Sequence, residues 1–300
     1  MLYSDTKMGN ISKFTLGTVQ LGMNYGMANM TGQPSKEQAF GILDQAALSG
    51  VTSLDTAVAY GSSEQVIGEY LQKCANRYFI TSKFKLGNED PVQKLEEQKR
   101  LTMEHLGKVD LYFFHNGEEL VRYAKQLQEP LLELRERGVT RFLGASVYEA
   151  KEIETFLKYD WLQGIQIPMN ILDDRLRRCG LLEELYKRGT VVFVRSVFLQ
   201  GLLCMEQIPE RYDFLASYVR ELKDIAKSEE MTLMEMSVAY IRDLQGVSSL
   251  VLGCETAGQV TQNAELMNAK RISAAGTEAI RALAARVPIE EAMLRIQGKK

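Results

Sequence analysis

Residues 109–145 read VDLYFFHNGEELVRYAKQLQEPLLELRERGVTRFLGA. Val109–His115 is short, apolar and aromatic, the composition of a strand covered on both faces rather than of a half-wet, alternating one. Leu120–Arg137 then carries Val121, Ala124, Leu127, Leu131, Leu132 and Leu134 at helical spacing. Gly138 follows Arg135-Glu136-Arg137, a residue able to close a helix at positive φ just after cations that suit the negative end of its dipole. Thr140–Ala145 is apolar again. Strand, helix and strand with short connections make the unit from which parallel sheets are built.

The same unit recurs in both directions. Phe14–Gln20, Val51–Asp55, Tyr78–Lys83, Gly164–Ile167, Val191–Arg195 and Ser249–Leu252 are further strand-like runs, making eight in all. Between them lie helical segments such as Ser35–Ser49, and Gly50 and Gly189 close two of these as Gly138 closes its own. Eight βα units without a linker or low-complexity segment predict a single (β/α)8 TIM barrel over residues 1–300. A doubly wound open sheet is the competing architecture. An insertion, Phe198–Met231, follows the seventh run, and the tail Arg271–Lys300 reads as two short amphipathic helices broken at Pro288 with a frayed Gln297–Lys300 end. Both exceed what a barrel requires and are expected to cap an opening.

Composition narrows the functional classes. Hydrophobic residues make up 45% and charged residues 25% of 300, the balance of a globular protein. Thirty-six Lys and Arg against 39 Asp and Glu give a net charge of −3 with no long run of either sign, which argues against nucleic acid or an anionic membrane as partner and for a small molecule. MLYSDTKMGNISKF has no apolar signal core and no stretch nears the length of a membrane span, so a cytoplasmic location is expected. Cys74, Cys179, Cys204 and Cys254 have no ligand or disulfide spacing and are expected to be reduced thiols, with no metal.

In a barrel the polar residues at the C-terminal strand ends are the functional candidates, because the βα loops there build the site. Asp55 ends the second run, with Tyr60 five residues on; Lys83 ends the third and His115 the fourth. These types suit proton transfer to a carbonyl oxygen. A phenol is too weak an acid near neutrality unless a nearby ammonium stabilises phenolate, a role open to Lys83, which Asp55 would hold protonated. His115 suits orienting the substrate oxygen or sharing the proton.

Leu54-Asp55-Thr56-Ala57-Val58-Ala59-Tyr60-Gly61, followed by Ser63-Glu64 and Ile67-Gly68, resembles the signature of the aldo-keto reductase superfamily, and the likeness runs from Phe14 to Asn268. It implies a (β/α)8 barrel, a nicotinamide dinucleotide bound without a Rossmann glycine fingerprint, and reduction of aldehydes or ketones. It implies that Tyr60 is the general acid, tuned by Lys83 and Asp55, with His115 positioning the carbonyl. On the cofactor side, the resemblance assigns Ser146 and Gln166 to the carboxamide, while the usual Asn beside that serine is Val147. Arg195 stands where many members carry an aromatic ring beneath the nicotinamide. Arg195 is expected to favour the reduced cofactor, or to bind an anionic substrate or pyrophosphate, against the plainer role of pairing with a neighbouring carboxylate.

At the adenosine end, Gly253 and Gln259 match the positions of a Lys and an Arg that grip the 2′-phosphate in NADPH-dependent relatives, and Glu255 lies nearby. That exchange removes cations and adds an anion, so of NAD(P)H the unphosphorylated NADH is favoured, unless Lys270 or Arg271 swings in. Gln262 and Asn263 resemble the pair that contacts adenine. The segment Gly17–Gly26 is expected to line the pocket mouth, with Tyr25, Phe84, Tyr148, Trp161 and Phe198 as aromatic candidates; a sugar or other polar carbonyl suits Gln20, Asn24, Asn116 and Glu118 better than a lipid. Two other functions fit the same residues: a regulatory or interaction subunit that binds dinucleotide, and a redox-neutral sugar epimerase or dehydratase that retains it. His105, before Gly107, is read as structural.

Overall fold

The computed structural model describes residues 1–27, 29 and 31–296; the Gln297–Lys300 end lies outside the described residues. The chain opens with a hairpin, β1 (Tyr3–Thr6) antiparallel to β2 (Gly9–Ser12). Eight strands follow: β3 (Phe14–Gly17), β4 (Ser53–Asp55), β5 (Phe79–Phe84), β6 (Val109–Phe114), β7 (Thr140–Ser146), β8 (Gly164–Pro168), β9 (Val191–Arg195) and β10 (Val247–Gly253). Each pairs in parallel with the next, and β10 returns to β3, so the sheet closes into a barrel. The eight runs read from sequence are these eight strands. The open-sheet alternative is therefore excluded by the closure.

Strand side chains alternate between faces, and the alternation sorts the core into two parts. Leu16, Leu54, Tyr112, Phe114, Ile165 and Val194 point outward into the large cluster shared with the helices. Leu111, Phe113, Val191 and Phe193 point inward and form a separate cluster with Met8 and Ile11 of the hairpin, which plugs the barrel at that end. Gly144 and Gly164 make room for this packing: a Cβ on either would come within 2.6 Å of the Phe113 ring or of Leu111. On the other side of the interior, Thr15 bridges Ser53 and Ser249 through hydroxyl bonds of 2.7 Å. Charged and amide groups, Asp55, Lys83, Gln166 and Arg195, occupy the C-terminal half.

The first strand is shorter than its sequence run. It stops at Gly17 because Thr18 turns aside to donate to the Asp55 carbonyl at 2.9 Å, and the chain enters a helical turn, Val19–Gly22. The insertion after β9 forms two 3-10 stretches, Leu199–Cys204 and Glu210–Leu215, and the helix Ala216–Ser228. The tail forms helices Ala274–Ala284 and Ile289–Ile296, parted at Pro288 as expected. His105 ends the helix Pro91–Leu106 and faces Glu64 at 3.6 Å, in keeping with a structural role. Among the described residues, no helix is long and apolar enough to cross a membrane.

Candidate active site

Lys83 is 1% exposed and sits at the centre of the C-terminal half of the barrel. Its ammonium donates to both Asp55 carboxylate oxygens at 2.8 and 2.7 Å, to the Thr56 carbonyl at 2.9 Å and to the Tyr60 hydroxyl at 3.3 Å. Asp55 is held in turn: the Thr81 hydroxyl and the Gln166 amide both donate to Oδ1, at 2.7 and 2.8 Å. A buried carboxylate needs such donors to remain charged, and a buried ammonium needs the carboxylate. The His115 ring meets Tyr60 edge-on, with centroids 5.7 Å apart.

Tyr60 is placed by close backbone packing. Its peptide lies directly against Gly22, where a Cβ would stand 1.8 Å from the Tyr60 carbonyl oxygen, and Gly61 adopts φ +56° where it passes Gly22. Ser63 and Thr18 hydroxyls lock the two segments together at 2.8 Å. The turn Val19–Gly22 thus sets the position of the phenol.

Burial, and then the Asp55 charge, push the Tyr60 phenol well above its ordinary range, while the Arg195 guanidinium pulls the other way. Burial is the largest influence, and the Lys83 ammonium, shared between Asp55 and the phenol oxygen, does not bring Tyr60 below its ordinary range. Burial pulls the Lys83 ammonium itself downward, against the Asp55 charge. Tyr60 therefore remains protonated at neutral pH, the form a proton donor needs.

The His115 imidazole is brought down to about 3, by burial first and then by Lys83, Lys85 and Arg195. It is neutral across the physiological range. Unfolding returns it to its ordinary value near 6.5, so between about 6.5 and 3 the unfolded chain binds a proton that the folded chain refuses, and stability falls as pH falls. That slope approaches about 1.4 kcal/mol per pH unit. His115→Gln is expected to flatten the fall in melting temperature between pH 6.5 and 4.5; an unchanged slope in thermal melts would show that His115 is not the group responsible.

One cavity of about 870 Å³ opens above these residues, lined by Asp55, Tyr60, His115, Ser146, Gln166, Arg195, Gly253, Glu255, Gln259 and Asn263. The candidate catalytic residues and those assigned to the cofactor from sequence thus meet in one place, with Lys83 beneath. Ser146 lies 3.4 Å from the Gln166 amide oxygen. The Val147 amide pairs with the Gln166 carbonyl at 2.9 Å, and the Val147 carbonyl accepts from Arg195 at 3.1 Å. Arg195 stacks over Tyr148 at 3.9 Å. Among the described residues no carboxylate reaches it, which removes the plainer reading of that side chain as an ion-pair partner. At the far end Gln259 accepts from the Glu255 amide at 2.6 Å and Asn263 donates to the Cys254 sulfur at 3.2 Å.

Of the aromatic candidates, Tyr25, Tyr148 and Phe198 line the cavity, whereas Phe84 packs among Tyr112 and Phe114, and Trp161 against Tyr159. Glu149, Glu152, Gln200, Met234 and Met293 also line it, and sequence reasoning missed them. Only the expectation that insertion and tail cap an opening points that way, and Gln200 and Met293 belong to those two segments.

Two buried polar atoms without a partner among the described residues, Gln20 Oε1 and His115 Nδ1, belong to side chains of the cavity wall. Together with an 870 Å³ space and glycines 17, 26, 201 and 253 on its wall, they suit a large polar ligand of dinucleotide size.

The family model for aldo/keto reductases matches residues 13–285. Uncharacterized oxidoreductase YqkF of Bacillus subtilis strain 168 is 27% identical over 289 residues, 87% of this chain and 92% of that protein. The NADH-specific methylglyoxal reductase of Escherichia coli K12 is 24% identical over 299 residues, covering 86% and 90% of the two chains. Among solved structures, the holo form of an aldo-keto reductase from Bacillus halodurans superposes with TM-score 0.79 at 24% identity, over 94% of this chain and 96% of that one.

Proposed function

Because the chain belongs to the aldo/keto reductase family, we propose that it reduces a polar aldehyde or ketone to an alcohol, with NADH preferred over NADPH. The observation that carries this reading is the Asp55–Lys83–Tyr60–His115 constellation at the floor of a dinucleotide-sized cavity. Ser146, Gln166, Arg195, Gly253, Glu255, Gln259 and Asn263 would hold the cofactor, which when bound supplies the hydride. Tyr60 donates the proton to the carbonyl oxygen as negative charge develops on it. Lys83, bonded to the phenol oxygen, stabilises the tyrosinate left behind, and Asp55 keeps Lys83 charged and oriented. His115, neutral, offers a hydrogen bond to the same oxygen without competing for its proton.

Asn116, Glu118, Glu149 and Arg195 on the cavity wall support a polar substrate, a sugar or a small oxo-aldehyde, over a lipid. The NADH preference rests on Glu255 and on the uncharged Gly253 and Gln259, since a 2′-phosphate carrying about −1.5 to −2 charges is disfavoured in such surroundings. Initial rates with methylglyoxal and a panel of aldoses, run with each cofactor, test both parts. NADH is expected to give the higher kcat/KM, and Glu255→Lys to raise the NADPH to NADH ratio about tenfold, the scale of one charge-assisted hydrogen bond. A ratio unmoved by Glu255→Lys would place the 2′ position elsewhere.

A further inference from the structure

We infer that Gln20 is a ligand-binding residue, its side-chain amide taking a ribose hydroxyl of the dinucleotide. Gln20 lies on the turn Val19–Gly22, lines the cavity and is 8% exposed, yet no donor among the described residues reaches its Oε1. An unpaired buried amide oxygen is costly, and such groups in native proteins call for a partner. The turn that carries it is fixed on both sides, by Leu21 N to Thr18 O at 3.0 Å and by the contact of Gly22 with Tyr60, so the side chain starts from a set backbone position on the cavity wall.

The amide lies flat against Gly253. A Cβ at that position would stand 2.5 Å from Gln20 Nε2 and 2.7 Å from Oε1, so the glycine at the end of β10 is what admits the side chain. Gln20 and Gly253 are one device built from the two ends of the barrel sheet.

The chemistry of the surroundings selects the ligand group. This end of the cavity carries the amides of Gln20, Gln259, Gln262 and Asn263 and the carboxylate of Glu255, while the one cation among the described lining residues, Arg195, stands at the end of β9. The unpaired Gln20 Oε1 is an acceptor and needs a donor, which a hydroxyl supplies and an ionised phosphate oxygen does not, and the amide nitrogen can return a bond to a neighbouring hydroxyl. A neutral polyol meets both demands. Given the proposed cofactor, on which this inference rests, the polyol is ribose.

NADH titration followed by its fluorescence, on the full chain, tests the assignment. Gln20→Met is expected to raise the NADH dissociation constant about 3- to 10-fold, the loss of a single hydrogen bond. Gly253→Ala, which forces the amide from its seat, serves as a second variant should the first misfold. The double variant is expected to bind no more weakly than the weaker single variant, because both act on one amide. Competition with ADP separates the two riboses of the dinucleotide: weaker ADP binding by Gln20→Met assigns the adenosine ribose, and unchanged ADP binding assigns the nicotinamide ribose. Wild-type affinity for NADH in both variants would overturn this inference alone. A wild-type chain that binds neither NADH nor NADPH would overturn the proposed function with it.

Discussion

Tyr60→Phe is expected to lower kcat by about 10²- to 10⁴-fold, the range lost with a general acid, while the NADH dissociation constant stays within about twofold. The substitution removes one oxygen and leaves the ring that packs edge-on against His115. Nothing in the Gly22–Tyr60 backbone contact depends on that oxygen, since the carbonyl and not the phenol is packed there. Binding and catalysis should therefore separate cleanly. Because the wild-type phenol sits above its ordinary range, no loss of activity from Tyr60 ionisation is expected below about pH 10. Stopped-flow hydride transfer and equilibrium titration, run on the same preparation, measure the two quantities.

Lys83→Met carries the largest expected cost in stability. The ammonium and the Asp55 carboxylate are 1% and 5% exposed at a separation of 2.7 Å, so removing the cation strands a buried anion. Breaking such a pair typically costs about 3–5 kcal/mol, more than the pair itself contributes, because the remaining charge is left without its partner. Activity should vanish as well, since the Tyr60 oxygen loses the donor at 3.3 Å. The double variant Lys83→Met with Asp55→Asn distinguishes the two effects. With no charge stranded, the amide introduced in place of the Asp55 carboxylate can still meet Thr81 and Gln166, and most of the stability should return while turnover does not. Urea denaturation of wild type and both variants measures this; a Lys83→Met variant as stable as wild type would contradict the buried pair as drawn.

The barrel was legible because its strands are buried on both faces and so read as short apolar runs spaced by one helix. The N-terminal hairpin was not, because YSDT and GNIS carry little apolar pattern; its contribution is made by Met8 in the turn and Ile11 at one strand position, which matter only once the barrel presents Phe113 and Phe193 to them. Phe14–Gln20 reads as one strand because Val19 continues the apolar composition, whereas Thr18 and Gly22 obey contacts with Asp55 and Tyr60 far along the chain.

The four candidate catalytic residues were legible by type and spacing at strand ends. The direction in which Tyr60 shifts was not, since it depends on how completely the phenol is buried and on where the Lys83 charge is already engaged, both tertiary facts. Gln20 was visible as a polar residue near the mouth. Its partner Gly253 could be connected to it only once β10 closed on β3.

Counting product against cofactor is the most direct test of carbonyl reduction by this chain. NADH oxidation is followed by its near-ultraviolet absorbance with methylglyoxal or an aldose, and the alcohol is quantified in the same reaction, with Tyr60→Phe as the control. One alcohol formed per NADH consumed, abolished by Tyr60→Phe, is the expected result. Conversion of the substrate without net NADH consumption, or tight NADH binding with no turnover of any carbonyl, would contradict it.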